Sequence, residues 1–219
     1  MLFRSNLTQR LELPWSGDPR ALAAAAFESA RPRHGFYAEL PDGRVVLSLS
    51  PELFLAYDPN TGRLETRPIK GTRPAGTAPH ELAGSEKDAA ELVMIMDLMR
   101  NDLGRVCVPG SIEVPRPRAI EAHAGVQHGV GTVRGRLRPG CTLGEMVRAT
   151  FPAGSVTGAP KIRAMQIIEE LEPCARGMYC GSGGWFGDDG RLELNVGIRT
   201  ATITGERRLD GAGGLVIDG

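Results

Sequence analysis

Between Ser85 and Gly104 the chain carries a run that a buried helix satisfies better than any other element. Ser85 and Asp88 have the Ser-x-x-Asp spacing of a helix N-cap, and every residue from Leu92 to Met99 is apolar except Asp97. A capping residue ahead of a periodic apolar run marks a helix start, so the spacing predicts a helix over 86–100 with Gly104 as a C-terminal cap. Counting three, four and seven residues on from Glu91 reaches Met94, Ile95 and Leu98. That places a carboxylate at the crown of an inward-facing apolar stripe. A buried carboxylate must be paired, protonated or bound to a cation, and the pattern alone leaves an arginine partner and a metal equally open.

Upstream of this helix lies Arg67-Pro68-Ile69-Lys70-Gly71-Thr72-Arg73. The chain has three lysines, Lys70, Lys87 and Lys161, among 26 basic residues, so arginine is its ordinary cation. Lysine, unlike arginine, can lose its proton beside other cations or on burial, and it then becomes a nucleophile. Arg67 and Arg73 are placed to supply that bias. A surface lysine in the turn before Gly71 is the plainer alternative.

The remaining segments read as strands in runs with helices between. Met1 to Leu13 is extended, and Pro19 to Ala30 is an alanine-rich helix with Asp18 as N-cap. Arg44 to Ser50, Leu53 to Tyr57 and a third strand ending at Lys70 follow, the last two joined through Asp58-Pro59-Asn60-Thr61-Gly62. This hairpin would bring Glu52 and Lys70 to one sheet edge; a solvated strand-end acid is the alternative for Glu52. Arg105 to Val108 and Ser111 to Val114 read as short strands, and His128 to Leu137 as a longer one. His128 has no cysteine or second histidine at ligand spacing, which fits a hydrogen-bonded core histidine. Thr142 and Glu145 form a capping box for a helix to Thr150. Phe151 to Lys161 is a glycine-containing loop entering a helix through Pro160, an anion seat in principle but not a Walker loop. Gly177 to Phe186 and Leu192 to Ile203 pair around the turn at 187–190, and Leu215 to Ile217 is a last strand. No linker divides the chain, and the pattern implies an α+β architecture of mainly antiparallel sheets layered with helices.

Composition narrows the functional classes. Acidic and basic residues balance at 26 each, which gives no pull toward nucleic acid or an anionic membrane. No apolar run reaches the roughly 18 residues of a membrane span, and the N-terminus lacks a signal-peptide layout, so a cytoplasmic protein is expected. Cys107, Cys141, Cys174 and Cys180 form no Cys-x-x-Cys pair and are expected as buried thiols.

Taken together, Ser50-Pro51-Glu52, Pro68 to Arg73, Glu91 with Met94 and Asp97 to Asp102, Gly154 to Lys161 with Arg163-Ala164-Met165, Ile198-Arg199 and Ala212-Gly213-Gly214 resemble the chorismate-utilising enzymes. That family includes anthranilate and aminodeoxychorismate synthase components I and the isochorismate and salicylate synthases. The resemblance covers nearly the whole chain and implies one chorismate-binding catalytic domain. Lys70 stands where anthranilate and salicylate synthases typically have alanine and where covalently acting aminodeoxychorismate synthases have lysine. It therefore implies conversion of chorismate and ammonia to 4-amino-4-deoxychorismate, with anthranilate synthesis or a non-catalytic fragment as alternatives. Arg4 falls where the isochorismate and salicylate synthases use a water-activating lysine and the amine-transferring enzymes a glutamine, and it matches neither.

By the same resemblance, Lys70 is the nucleophile and Glu52 the general acid, while Glu91 helps hold Mg²⁺ against the ring carboxylate. Thr72, His128, Ser155, Thr157, Tyr179, Arg199 and the N–H groups of Gly213 and Gly214 contact substrate. His128 lies in Gln127-His128-Gly129-Val130-Gly131, where relatives usually carry Leu and Ser in place of the two glycines. Nothing resembles a glutamine-hydrolysing domain, so the ammonia is expected from a separate glutamine amidotransferase subunit. The family's further N-terminal portion, and a C-terminal helix with a second Mg²⁺ carboxylate, are expected to be missing, leaving little turnover.

Overall fold

The computed structural model describes residues 4–204 and 213–218. In chain order the elements are β1 (Arg4–Ser5), β2 (Arg10–Trp15), α1 (Pro19–Ala30), β3 (Phe36–Glu39), β4 (Val45–Ser48), β5 (Leu53–Asp58), β6 (Arg63–Arg67) and β7 (Ile69–Pro74). Then come α2 (Pro79–Ala83), α3 (Glu86–Gly104), β8 (Glu113–His123), β9 (Val126–Arg136), α4 (Leu143–Thr150), a 3₁₀ turn (Gly154–Val156), β10 (Gly158–Ala159) and α5 (Lys161–Leu171). The described chain ends with β11 (Gly184–Phe186), β12 (Leu192–Asn195), β13 (Thr200–Thr204) and β14 (Gly213–Asp218).

Every strand pairing is antiparallel, as the α+β reading expects. One sheet runs β11-β12-β5-β6-β9-β7 with β8 on the far side of β9, a second runs β2-β14-β13-β4-β3, and β1 pairs with β10. The core forms where α3 lies on the first sheet. Leu92, Ile95, Met96, Met99 and Leu103 of α3 bury against Phe54 of β5, Leu64 of β6 and Val133 of β9. Fully burying a side chain of this size contributes about 1.5–3 kcal/mol, so this seam anchors the molecule.

The buried stripe is displaced by one position from the expected one. It follows Leu92, Ile95, Met96 and Met99, whereas Met94 and Leu98 are half-buried. Glu91 is half-buried too and flanks the seam instead of crowning it.

Local capping chemistry follows the sequence closely. Asp18 accepts from the Arg20 N–H, Ser85 accepts from the Asp88 N–H, and Thr142 with Glu145 completes a reciprocal capping box. α3 runs past Arg100 to Gly104, and Arg105 rather than Gly104 is its C-cap. The expected strand at Arg105–Val108 is instead the turn that leaves this helix, with one bridge from Cys107 to Leu137. Ser111–Val114 only introduces β8, an edge strand of 11 residues containing Pro115 and Pro117. Proline donates no ladder hydrogen bond and is tolerated at such an edge. Pro68 likewise interrupts the expected third strand, so that β6 and β7 both pair with β9, at its two ends.

At the N-terminus the expected strand is split into β1 and β2, and residues 1–3 lie outside the described residues. Gly177–Phe186 forms a strand only from Gly184. The thiols are mixed: Cys107 and Cys180 are buried, Cys141 is half-buried and Cys174 is exposed. Gly129 of β9 lies so close to β7 that a Cβ there would sit 2.5 Å from the carbonyl oxygen of Lys70.

Candidate active site

Where β5, β7 and β9 end against the 3₁₀ turn, a cleft of about 390 Å³ opens. Its walls include Glu52, Lys70, Thr72, His128, Ser155, Tyr179 and Arg199. Seven of the residues singled out from sequence are thus brought together from six separate stretches of chain.

Glu52 is only 4% exposed. Its backbone is fixed from both sides: its N–H donates to Ser50 Oγ at 3.2 Å and its carbonyl accepts from the Val196 N–H at 3.0 Å. The solvated-acid alternative is excluded. Burial pushes its carboxyl up to about 7, against the opposing effects of the Ser155 hydroxyl, the Lys70 charge, the Ile69 N–H and Arg199. A carboxyl held near neutrality can donate a proton at physiological pH.

Lys70 Nζ donates to the Ser155 carbonyl at 3.2 Å. Its flanking arginines do not crowd it as expected, because each is paired with an acid. Arg67 pairs with Glu121, which also takes Arg33, and Arg73 pairs with Asp88 at 3.1 Å. The nearby opposite charge is Glu52.

The 3₁₀ turn is shaped by close packing. A Cβ on Gly154 would lie 2.6 Å from both Leu98 and Met99 of α3, so glycine is what lets the turn press on the helix. The N–H groups of Val156 and Thr157 are used inside the turn, donating to Ala153 and Gly154. Lys161 Nζ is bound to Asp102 and to the carbonyls of Thr150 and Pro152 at 3.0 and 2.8 Å. Within the 3₁₀ turn, then, the cleft meets a carbonyl, an acceptor for a cation, rather than the N–H groups of Val156 and Thr157. Ser155 Oγ is buried and lies near enough to the Glu52 carboxyl to lower it, though no hydrogen bond of good geometry forms there among the described residues.

His128 is both a core histidine and a wall residue. It is 1% exposed, its Nδ1 lies 2.9 Å from Thr72 Oγ1, and Arg199 Nη2 approaches Nε2 at 3.4 Å. Guanidinium only donates, so Nε2 accepts and the proton resides on Nδ1. Burial, with His123 stacked edge-on at 4.8 Å and Arg199 nearby, depresses this imidazole to about 4, so it is neutral. Arg199 and Cys180 both have left-handed backbones, φ 50° and 59°. Such strained residues persist where the surroundings over-determine them and cluster at functional sites.

Other expected site residues stand apart. Thr157 Oγ1 turns back to the Ala153 carbonyl at 3.1 Å, and the residue lines a neighbouring cavity of about 500 Å³. Gly214 lies opposite Thr204, at the end of β13 away from Arg199, and Gly213 precedes it. Glu91 is not among the cleft-lining residues. Among the described residues no three His, Cys, Asp or Glu side chains are grouped to share a metal. Among the described residues, therefore, the protein groups do not build a Mg²⁺ site by themselves. Asn6, Leu7 and Thr8 line the cleft, as the sequence reading of a simple strand there did not foresee. Arg4's side chain and those of β14 lie outside the described residues.

The model of the chorismate binding enzyme family matches residues 2–219. Aminodeoxychorismate synthase component 1 of Salmonella typhimurium is 42% identical over 99% of this chain and 49% of its own length. Anthranilate synthase component 1 1 of Haloarcula marismortui is 44% identical over 90% of this chain and 41% of its own. Among solved structures, anthranilate synthase component I from Streptococcus pneumoniae superposes with a TM-score of 0.85 at 30% identity, over 99% of this chain and 47% of that one. The chain thus spans about half the length of these relatives. With the fold, the cleft and the matched sequence in agreement, the chain belongs to the family of chorismate-binding enzymes.

Proposed function

We propose that this chain carries the amination site of an aminodeoxychorismate synthase component 1, converting chorismate and ammonia to 4-amino-4-deoxychorismate for para-aminobenzoate and folate synthesis. The observation that supports it most is Lys70 sharing a cleft with a buried Glu52 whose carboxyl is raised to about 7. Protonated Glu52 gives its proton to the departing ring hydroxyl, which leaves as water. The Lys70 amine, its ammonium proton having passed to solvent, forms the new C–N bond as the ring double bond shifts, and the nitrogen passes its surplus proton to the Glu52 carboxylate. Ammonia then attacks with the reverse shift, Glu52 returns the proton to the Lys70 nitrogen as that bond breaks, and the aminated product sheds its extra proton to solvent. Arg199 suits a carboxylate of the substrate, and Thr72, Ser155, His128 and Tyr179 complete the wall.

Mg²⁺ enters this reading only through Glu91 and the substrate's ring carboxylate, and no step runs through it. Ammonia comes from a separate glutamine amidotransferase subunit. No helix is long and apolar enough to cross a membrane among the described residues, and the balanced charge leaves nucleic acid without support.

The test is to incubate a version extended to the relatives' full length with chorismate, ammonia and Mg²⁺ and separate the products. Aminodeoxychorismate is expected; anthranilate as the main product sinks the assignment in favour of the second activity found among its relatives. Intact-mass measurement should show a substrate adduct on the parent chain and none on Lys70→Ala, with chorismate affinity changed by less than about threefold, since loss of the nucleophile acts on the chemical step.

A further inference from the structure

Three of the cleft's walls, Asn6–Thr8, Ser155–Val156 and Tyr179–Cys180, come from distant parts of the chain. Behind them, outside the cleft, lies one guanidinium. Arg176 donates from Nη1 to the Val156 carbonyl at 2.7 Å and from Nη2 to the Asn6 carbonyl at 2.5 Å. It also forks onto Glu172, Nε to Oε2 at 2.9 Å and Nη2 to Oε1 at 2.6 Å. Glu172 in turn accepts from the N–H and Oγ1 of Thr8 at 3.2 and 3.3 Å. Tyr179 and Cys180 lie near enough to Arg176 to interact with its charge.

These bonds converge on the proposed nucleophile. The Asn6 side-chain amide donates to the Ser155 carbonyl, and that same oxygen receives Lys70 Nζ at 3.2 Å. The Arg176 and Glu172 side chains are 15% and 7% exposed, so the pair is shielded from water. A planar fork of five N–H donors can serve two carbonyls and a carboxylate at once, whereas a lysine ammonium is a point charge with three.

We propose that Arg176 is a positioning residue for Lys70: it clamps the Asn6 and Val156 walls together and so fixes the Ser155 carbonyl that aims the amine at the cleft. This rests on the reading of the cleft as the amination site. Lysine content makes a direct measurement possible. Lys87 is exposed, and Lys161 is held by Asp102 and two carbonyls, so both are internal references.

The experiment is competitive labelling of the full 219-residue chain with limiting acetic anhydride at fixed pH, read by peptide mass spectrometry. In Arg176→Met and Arg176→Lys, Lys70 labelling relative to Lys87 should rise about fivefold, the scale of one lost hydrogen bond, with Lys161 unchanged. A Lys70 ratio that stays at the parent value overturns the proposal. So does a parallel rise at Lys161, which would make Arg176 a general stabiliser of the fold. Failure of the parent chain to capture chorismate would sink the proposed function while leaving the labelling result intact, so the two failures are distinguishable.

Discussion

Glu52 carries opposite demands. Its folded-state carboxyl is raised from 4.5 to about 7 by burial, so the folded chain holds a proton that the unfolded chain releases between those values. Stability therefore falls as pH rises from about 4.5 to 7 and stays low above that. Glu52→Gln should raise the stability at pH 8 by on the order of 2–3 kcal/mol, and the gain should vanish near pH 4.5. Denaturant melts at both pH values check it, and an equal gain at each would mean that the carboxyl is not raised. The same variant should lose the acid-dependent step, whose rate in the parent falls as pH climbs through about 7. His128 has the reverse linkage. Lowered from 6.5 to about 4, it contributes stability that is complete above 6.5 and lost as pH falls toward 4. The hairpin was legible in sequence because its turn is defined, and it sets Leu53 opposite Arg67; Glu52 and Lys70 share the cleft because β7, beyond Pro68, runs along β9, which the turn did not show. Arg199's left-handed backbone was not legible either, since only the surrounding packing imposes it.

Helix ends were the most legible elements, because a cap is a bond between residues two or three apart, as at Asp18, Ser85 and Thr142. β8 was hidden by Pro115 and Pro117, which read as breakers unless the strand is known to lie at an edge. The clasp between α3 and α5 was equally hidden, since Asp102 and Lys161 are 59 positions apart. Their side chains are 3% and 14% exposed, and burial raises Asp102 against the pull of Lys161. Removing one partner strands the other charge. Lys161→Met should cost about 3–5 kcal/mol, and adding Asp102→Asn should recover most of it. Urea melts of the single and double variants decide this; a double variant no more stable than the single would show that the lysine's bonds to Thr150 and Pro152 carry the effect.

For the molecule as a whole, seven of the residues singled out from sequence share one cleft, while Thr157, Gly213 and Gly214 stand apart and the metal expected at Glu91 found no cluster of donors among the described residues. Mg²⁺ usually keeps several waters and needs one or two carboxylates beside its substrate oxygens. Calorimetric titration of Mg²⁺ into this chain should therefore show binding weaker than about 1 mM without chorismate and tighter binding with it. Tight binding to the free chain would demand a donor set beyond Glu91.

The close approach of β9 to β7 at Gly129 also bears on how such a sequence can drift. A side chain there would meet backbone, the Lys70 carbonyl at 2.5 Å, not a flexible side-chain end that could swing aside. Gly129→Ala would thus shift the proposed nucleophile without touching substrate. A larger residue at position 129 therefore requires the strand bearing residue 70 to move with it, so the two positions are coupled through backbone rather than through a side-chain contact.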